Sequence, residues 1–338
     1  MIPAEKNIML EIRSLLIGYG KAGKSRPLLP PLNARAAKGE LVAVIGRNGI
    51  GKSTLLRTVV GLLAPLGGSV IIDGKNLHDY NRTELALKAG YISTEQVRID
   101  SMKVAELVEL GRYPHTSWNG RLTEEDMVAI DFAVKKTGLT QLAGRFVNEL
   151  SDGERQKAMI ARVIAQDTGV IIMDEPTAFL DIISKFSIIQ LLRSLADEKG
   201  SCVLFSTHDL QMALNECDRL WIIGDDSFYD GAPEDLVLAE IPNRLFHDNN
   251  IVFSHSGESF GYRKILKGDV TVKGTGIQKY WTRKAVNRAG FRAVDDETDI
   301  SIEVAYNGKK TKWHCSEKGR NVLVADSIYE MVQWLKKY

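Results

Sequence analysis

The stretch GRNGIGKS, residues 46–53, constrains this chain more than any other. It follows an apolar run, LVAVI, that reads as a buried strand, and it opens a run from Lys52 to Leu63 that reads as a helix. Strand, glycine-rich turn and helix in that order leave backbone N–H groups open at a helix start, where they attract an anion. The glycines let the backbone wrap phosphate oxygens, Lys52 sets a point charge beside them, and the Ser53 hydroxyl can ligate Mg²⁺. Gly46, Asn48, Gly49, Gly51, Lys52, Ser53 and Thr54 are therefore candidate nucleotide-phosphate contacts. A chance glycine turn would need neither the strand before it nor the helix after it.

Other segments offer partners for that loop. GVIIMDEP is a short apolar strand that delivers Asp174 and Glu175 at its carboxyl end, where open α/β sheets bind ligands. Asp174 suits Mg²⁺, and Glu175 suits a general base for an attacking water. Downstream of a phosphate loop that reading outweighs a plain acidic turn. His208 in FSTHDL ends another apolar strand and could meet a γ-phosphate, although a lone histidine before Asp209 also fits a helix start. Gln96, after YIST, could reach the same phosphate and the attacking water, although a lone glutamine by itself means almost nothing. Tyr19 in LLIGYG could stack on a purine, although an isolated tyrosine is more often packing. LSDGERQ raises a further question: Ser151 and Gly153 stand before the helical run ERQKAMIARVIAQ, a second anion-binding helix start in one chain.

The rest of the chain alternates strands and helices. MLEIRSLLIGY, SVIIDGKNL, SCVLFSTH and RLWIIGDD read as strands, and LQMALNEC as a helix. From Ser101 to Asn148 the pattern is helical. Alternation of this kind predicts a largely parallel sheet with helices on both faces. A length of 338 residues predicts two domains. The stretch from about Ala239 to Tyr262 reads as a connection. A formal net charge of +1 gives no electrostatic case for nucleic acid, and three scattered cysteines form no metal spacing. No apolar run approaches the roughly 20 residues that span a bilayer, so a membrane role is expected to go through a partner.

Six motifs in order (the phosphate loop, Gln96, LSDGERQ, IIMDEP, AFLD and STHD) resemble the ATP-binding subunits of ABC transporters over about Ile8 to Leu238. LSDGERQ is similar to the family's signature motif, with Asp152 where a second glycine is usual. STEQ lacks the proline that often precedes the glutamine. The resemblance implies an α/β P-loop NTPase core at 1–240 with a helical subdomain at about 97–155. It also implies a head-to-tail homodimer. ATP with Mg²⁺ would lie between one chain's phosphate loop and the other's Ser151 and Gly153, with Asp181 linking the two sites. Ser53, Gln96 and Asp174 would hold the metal; Glu175, His208 and Gln96 would serve hydrolysis. The segment VAELVELGRYPH, residues 104–115, resembles the ATPases of iron–siderophore, haem and cobalamin importers. Two membrane permease subunits, indirectly a substrate-binding protein, and a peripheral place on the cytoplasmic face of the cell membrane follow as expectations. A soluble ABC-type ATPase of DNA repair or translation is the alternative, although the coiled-coil insertion or second motor usual there is missing.

The tail resembles nothing recognised. ILKGDVTVKG, ISIEVAYNG and KTKWHC read as strands, and IQKYWTRKAVNRAG and VADSIYEMVQWLKKY as helices, enough for a small α+β domain at 263–338 after a 241–262 linker. Its expected core includes Val270, Val272, Ile302, Val304, Trp281 and Trp334. It holds 16 Lys and Arg against 9 Asp and Glu, a surplus of seven positive charges. A dimer-stabilising or regulatory domain is expected, and a chain ending near Pro242 is expected to fold.

Overall fold

The computed structural model describes residues 7–20, 26–94, 101–116, 120–245, 251–254, 259–262 and 265–338. The chain forms two compact units, Met1–His247 with Phe253–Ser259, and Asp248–Val252 with Phe260–Tyr338.

The first unit is built on two sheets. Strands β1 (Ile8–Leu16), β4 (Leu32–Ala37), β6 (Gly67–Ile72) and β7 (Lys75–Asn76) form an antiparallel sheet in the order β4-β1-β6-β7. The two-residue strands β2 (Gly18–Tyr19) and β3 (Arg26–Pro27) pair beside it in sequence. The second sheet runs β12-β11-β5-β10-β9-β8, from β5 (Leu41–Gly46), β8 (Ala89–Ile92), β9 (Val170–Met173), β10 (Cys202–Thr207), β11 (Arg219–Ile223) and β12 (Phe228–Gly231). All its pairings are parallel except β11 with β12. The parallel sheet was expected; the antiparallel one was not separated from it in the sequence reading.

Burial on both faces explains the apolar strands. In β5, Leu41, Ala43 and Ile45 join one core cluster, and Val42 and Val44 join the other. Alternate side chains of a strand point to opposite faces, so a sheet covered twice needs a continuous apolar run. The helices of this unit are α1 (Lys52–Val59), α2 (Arg82–Ala86), α3 (Val104–Glu109), α4 (Glu124–Lys136), α5 (Asp152–Gln166), α6 (Ile182–Lys199), α7 (Leu210–Glu216), α8 (Pro233–Leu238) and α9 (Ile241–Leu245). Helix α1 stops before Gly61, at φ 79°, rather than at Leu63. The helical stretch 101–148 resolves into α3, a 3₁₀ segment Leu110–His115 and α4.

The stretch read as a connection contains α9 and a two-stranded sheet of β13 (Ile251–Ser254) and β14 (Ser259–Tyr262). Phe253, 4% exposed, belongs to the first unit's core, and its N–H donates to Asn243 Oδ1 at 2.6 Å. A chain cut near Pro242 would lose that core residue, which corrects the expected cut site.

The second unit is a five-stranded sheet in the order β16-β15-β17-β18-β19, from β15 (Asp269–Lys273), β16 (Arg292–Val294), β17 (Ile300–Tyr306), β18 (Thr311–Glu317) and β19 (Arg320–Ala325). Helices α10 (Gly276–Arg288) and α11 (Ile328–Leu335) share its core. Helix α11 begins only at Ile328, because VLVA is strand and Ser327 caps the helix by accepting from Glu330 N. Trp281, expected inside, is 53% exposed. The buried stripe of α10 is Thr282, Ala285 and Val286, one position away on the helix. Trp334 is buried as expected, and Trp313 is buried too, its Nε1 donating to Thr282 Oγ1 at 2.8 Å.

Candidate functional site

Strand β5 ends at Gly46, and the loop 47–51 turns into α1 with Gly51 at φ 114°, a conformation open to glycine at little cost. Asn48 and Gly49 are exposed at the tip, Gly49 with φ 78°, and no side chain caps α1. The first N–H groups of the helix are thus left without a capping side chain. Lys52 is 5% exposed; its Nζ donates to Gly46 O at 2.9 Å and Arg47 O at 3.3 Å, folding back along the loop. Burial pushes its ammonium below the ordinary range, and Glu175 and Asp174 push it back up. Glu175 Oε1 lies 4.0 Å from Nζ. Ser53 is half-buried and Thr54 buried. Tyr19, 58% exposed, sits with its hydroxyl 2.9 Å from Thr54 Oγ1. The aromatic ring is thereby tethered to the loop's helix.

The carboxylates follow directly on β9. Asp174, 1% exposed, accepts from Ser206 Oγ at 2.6 Å and Thr94 Oγ1 at 3.0 Å. Ser206 Oγ in turn accepts from Glu175 N at 2.8 Å, so one hydroxyl on β10 orients both acids. Glu175 has φ 48°, a conformation that costs a non-glycine residue energy and that recurs at functional sites. Ser206 and Thr94 escaped the sequence reading, because only strand register brings them to Asp174; their place at strand ends beside the acids was the available signal. His208 is exposed just beyond β10. Gln96 lies outside the described residues.

A second group forms around α5. Ser151 is its N-cap and Glu154 completes a capping box: Glu154 N donates to Ser151 Oγ at 3.3 Å, and Ser151 N donates to Glu154 Oε2 at 2.9 Å. Donation to Oε2 from the Ser151 N–H and then from its hydroxyl holds the Glu154 carboxyl below its usual range. Asp152 points to Arg155, 3.2 Å away. Gly153 packs closely on α6, since a Cβ there would approach Ser184 Oγ to 2.9 Å and that side chain would have to shift. Ser184 is held by Asp181, the N-cap of α6, through N–H and hydroxyl donations of 2.9 and 2.8 Å. Ser151, Gly153 and Asp181 therefore share one surface. Beside them Phe179, Ile182 and Ile183 are 86%, 73% and 82% exposed. Among the described residues no hydrogen bond or ion pair joins this group to Lys52, Asp174 and Glu175.

Chemically, the first group offers a buried cation, open N–H donors and two oriented carboxylates: enough to hold phosphates and direct a water. Oxygen donors from Ser53 and Asp174 suit a hard cation such as Mg²⁺, which binds through few protein ligands. Among the described residues no cluster of three or more His, Cys, Asp and Glu could form a dedicated metal cage.

Comparison with known proteins agrees with this chemistry. The ABC transporter family profile matches residues 29–178, and that of the iron ABC transporter C-terminal domain matches residues 267–336. The chain is 36% identical over 230 residues to a petrobactin import ATP-binding protein of Bacillus anthracis, covering 68% of this chain and 85% of that one. It is 37% identical over 233 residues to a ferric enterobactin transport ATP-binding protein of Escherichia coli (strain K12), covering 69% and 84%. A structure described as an inward-facing metal-chelate type ABC transporter matches with TM-score 0.62 and 26% identity, over 75% of this chain and 96% of that one. A dimeric bacterial ABC transporter cassette matches with TM-score 0.58 and 27% identity, over 67% and 99%.

Proposed function

We propose, from the premise that this chain belongs to the ATP-binding proteins of ABC transporters and is an ATPase, that it energises import of a metal chelate through two membrane permease subunits. The chelate class is that of its relatives: an iron–siderophore, haem or cobalamin. The observation that carries the reading is the buried Lys52 facing Glu175 across 4.0 Å beneath an uncapped helix start. The open N–H donors with the lysine beside them suit an anion, and a nucleotide triphosphate supplies one.

In this reading Lys52 neutralises the β- and γ-phosphates, and the loop N–H groups of Gly49, Gly51 and their neighbours bind the oxygens. Glu175 takes the proton of the attacking water, and Ser206 keeps its backbone in place. Tyr19 packs on the base, and Gln96 and His208 contact the γ-phosphate. Mg²⁺ held by Ser53, Asp174 and Gln96 would neutralise phosphate charge. Two chains form a head-to-tail homodimer, each lending Ser151 and Gly153 to the other's nucleotide, with Asp181 at the junction. The exposed Phe179, Ile182 and Ile183 beside Asp181 support that face as an interface, since adjacent exposed apolar side chains mark contact surfaces.

A groove of about 350 Å³ lined by Arg82, Thr83, Ala86, Tyr113, Pro114 and Thr116 is the seat we assign to a permease segment. No helix among the described residues is long and apolar enough to cross a membrane. Attachment to the cytoplasmic face of the cell membrane then runs through that groove. We assign nucleotide chemistry to 1–240, with a helical subdomain at about 97–155. Regulation or dimer stabilisation falls to the basic domain at 263–338, joined through 241–262.

Glu175→Gln tests the assignment. ATP binding should persist, turnover should fall by roughly a hundredfold or more, as general-base loss costs, and an ATP-bound dimer should accumulate on size exclusion. Steady-state hydrolysis near the wild-type rate would remove Glu175 as the base.

A further inference from the structure

Helix α10 of the second unit has two faces, and its own unit uses only one. Its sequence, GIQKYWTRKAVNR, carries four cations and no acid. Thr282, Ala285 and Val286 face the core. On the side turned to solvent stand Ile277, Tyr280, Trp281, Lys284 and Arg288, spaced so that they form one stripe along the helix. The first three are 61%, 49% and 53% exposed. At thirteen residues the helix is about 20 Å long. Scattered exposed apolar residues are ordinary, whereas a contiguous stripe of them marks a contact surface.

The cations divide into two pairs. Lys279 and Arg283 both donate to Asp295 Oδ1, at 2.8 and 3.0 Å, so their charges are met inside the unit. Lys284 and Arg288, on the exposed stripe, have no carboxylate partner among the described residues. Lys284 Nζ lies instead over the rings of Tyr280 and Trp281, 5.2 and 5.6 Å from their centroids, and the two rings meet edge to face at 5.5 Å. Past the end of the helix, the Lys267 N–H donates to Gly290 O at 2.8 Å. Ile265, two residues before Lys267, is 97% exposed. The stripe thus runs from apolar and aromatic side chains to unmatched positive charge.

What covers this stripe must take aromatic bodies with polar tips and also offer negative charge to Lys284 and Arg288. An apolar protein surface accepts the rings but leaves the cations desolvated and unpaired, which is costly. The surface of an anionic bilayer supplies both: a boundary layer where Trp and Tyr settle, and phosphates above it for Lys and Arg. We propose that this face of α10 binds the headgroup layer of an anionic phospholipid bilayer. Ile277, Tyr280 and Trp281 enter the boundary between headgroups and acyl chains, and Lys284 and Arg288 pair with lipid phosphates. The second unit thereby holds the chain at the membrane without the permease. The proposed place at the cytoplasmic face puts such lipid within reach, because that leaflet is the anionic one.

The test floats the full chain, without nucleotide or permease, with vesicles of phosphatidylcholine alone or with about one third phosphatidylglycerol. Binding to the mixed vesicles, little to the neutral ones, and weakening by salt are expected. Each cation at such a surface is worth about a fivefold change in partitioning, so Lys284→Gln with Arg288→Gln should weaken binding roughly 25-fold. Ile277→Ser with Trp281→Ser leaves the charge unchanged and should still weaken it at least tenfold. Lys309→Gln with Lys310→Gln makes the same charge change in the turn between β17 and β18 and should leave binding within threefold. All variants should keep the melting curve and ATP hydrolysis of the parent. Equal binding to both vesicles, or no binding, overturns the proposal. So does an equal loss in the Lys309 and Lys310 variant, which would make the attraction one of net charge and not of this face. A lipid-free dimer that dissociates on Ile277→Ser with Trp281→Ser also overturns it, since a second copy would then cover the stripe. Hydrolysis is measured apart from flotation, so failure of the ATPase reading leaves the vesicle result standing.

Discussion

Two helices of this chain begin at a sequence suited to phosphate, and they begin differently. Helix α1 starts at Gly51 with no side-chain cap, and Lys52 is buried behind the loop. Helix α5 starts with a closed capping box, and its first residue is the acid Asp152. The first start keeps its N–H donors open and brings a cation. The second has already used Glu154 N on Ser151 and adds a negative charge, partly met by Arg155. One can hold a nucleotide from a single chain; the other can only add to a charge already neutralised. That asymmetry suits the proposed site shared between two chains, in which the weaker half engages after the stronger half is loaded.

The sharpest break would come at Lys52. Lys52→Ala should lower ATP affinity by roughly a hundredfold, since losing one partner of a buried charge pair costs about 2–5 kcal/mol. Ser151→Ala should leave monomer affinity within about twofold, the worth of a surface contact not yet made. Nucleotide titration of both decides it: equal losses would erase the difference between the two starts.

Ser151→Arg should spare ATP binding by the single chain but stop hydrolysis. Mixed with Lys52→Ala protein, it forms heterodimers in which one composite site keeps both halves intact and the other loses both. Activity in the mixture, absent from either parent, is the expected outcome of a steady-state assay. No recovery in a heterodimer shown to form would mean that each chain completes its own site.

The far end of α5 gives a stability test that α1 has no counterpart for. Asp126→Asn leaves Arg112 buried without its counter-charge, which should cost about 3–5 kcal/mol in denaturant melts. Backbone and side-chain donation from Thr123, with the Arg112 guanidinium, hold the Asp126 carboxyl at about 2 against an ordinary 3.8. A depressed carboxyl stabilises fully above its unfolded value. Its contribution should therefore be intact above about pH 4 and lost as pH falls through about 2. Asp126→Asn should lack that acid limb; identical acid profiles would show that the pair contributes nothing.

The smallest effect is expected from removing the second unit. A chain ending at Tyr262 keeps Phe253 in the first core and should bind and hydrolyse ATP within about twofold, because both helix starts lie elsewhere. A chain ending at Pro242 loses Phe253 and should be less stable by about 3–5 kcal/mol, the usual cost of deleting a buried aromatic side chain. Thermal melts of the two truncations separate these outcomes, and equal stability would place Phe253 outside the working core.

What sequence alone determined here is local. A glycine turn between an apolar strand and a helix prescribes its own open N–H groups within a few residues, so Gly46 to Thr54 could be read directly. Ser151 and Glu154 are three apart, the spacing that closes a capping box, and Asp174 and Glu175 end an apolar strand. Contacts between distant segments were decided by packing. Ser206 reaches Asp174 and Glu175 because β9 and β10 pair in parallel with Met173 opposite Phe205. Arg112 meets Ala165 because Gly111 lets two backbones touch. Trp281 lies outside beside the buried Thr282 because one step of about 100° on a helix moves a side chain from core to solvent, and Trp313 lies inside because alternate residues of β18 face the core; residue type cannot announce which face will be covered. Short-range hydrogen bonds are set by spacing along the chain; the rest waits on which surfaces the folded layers bring together.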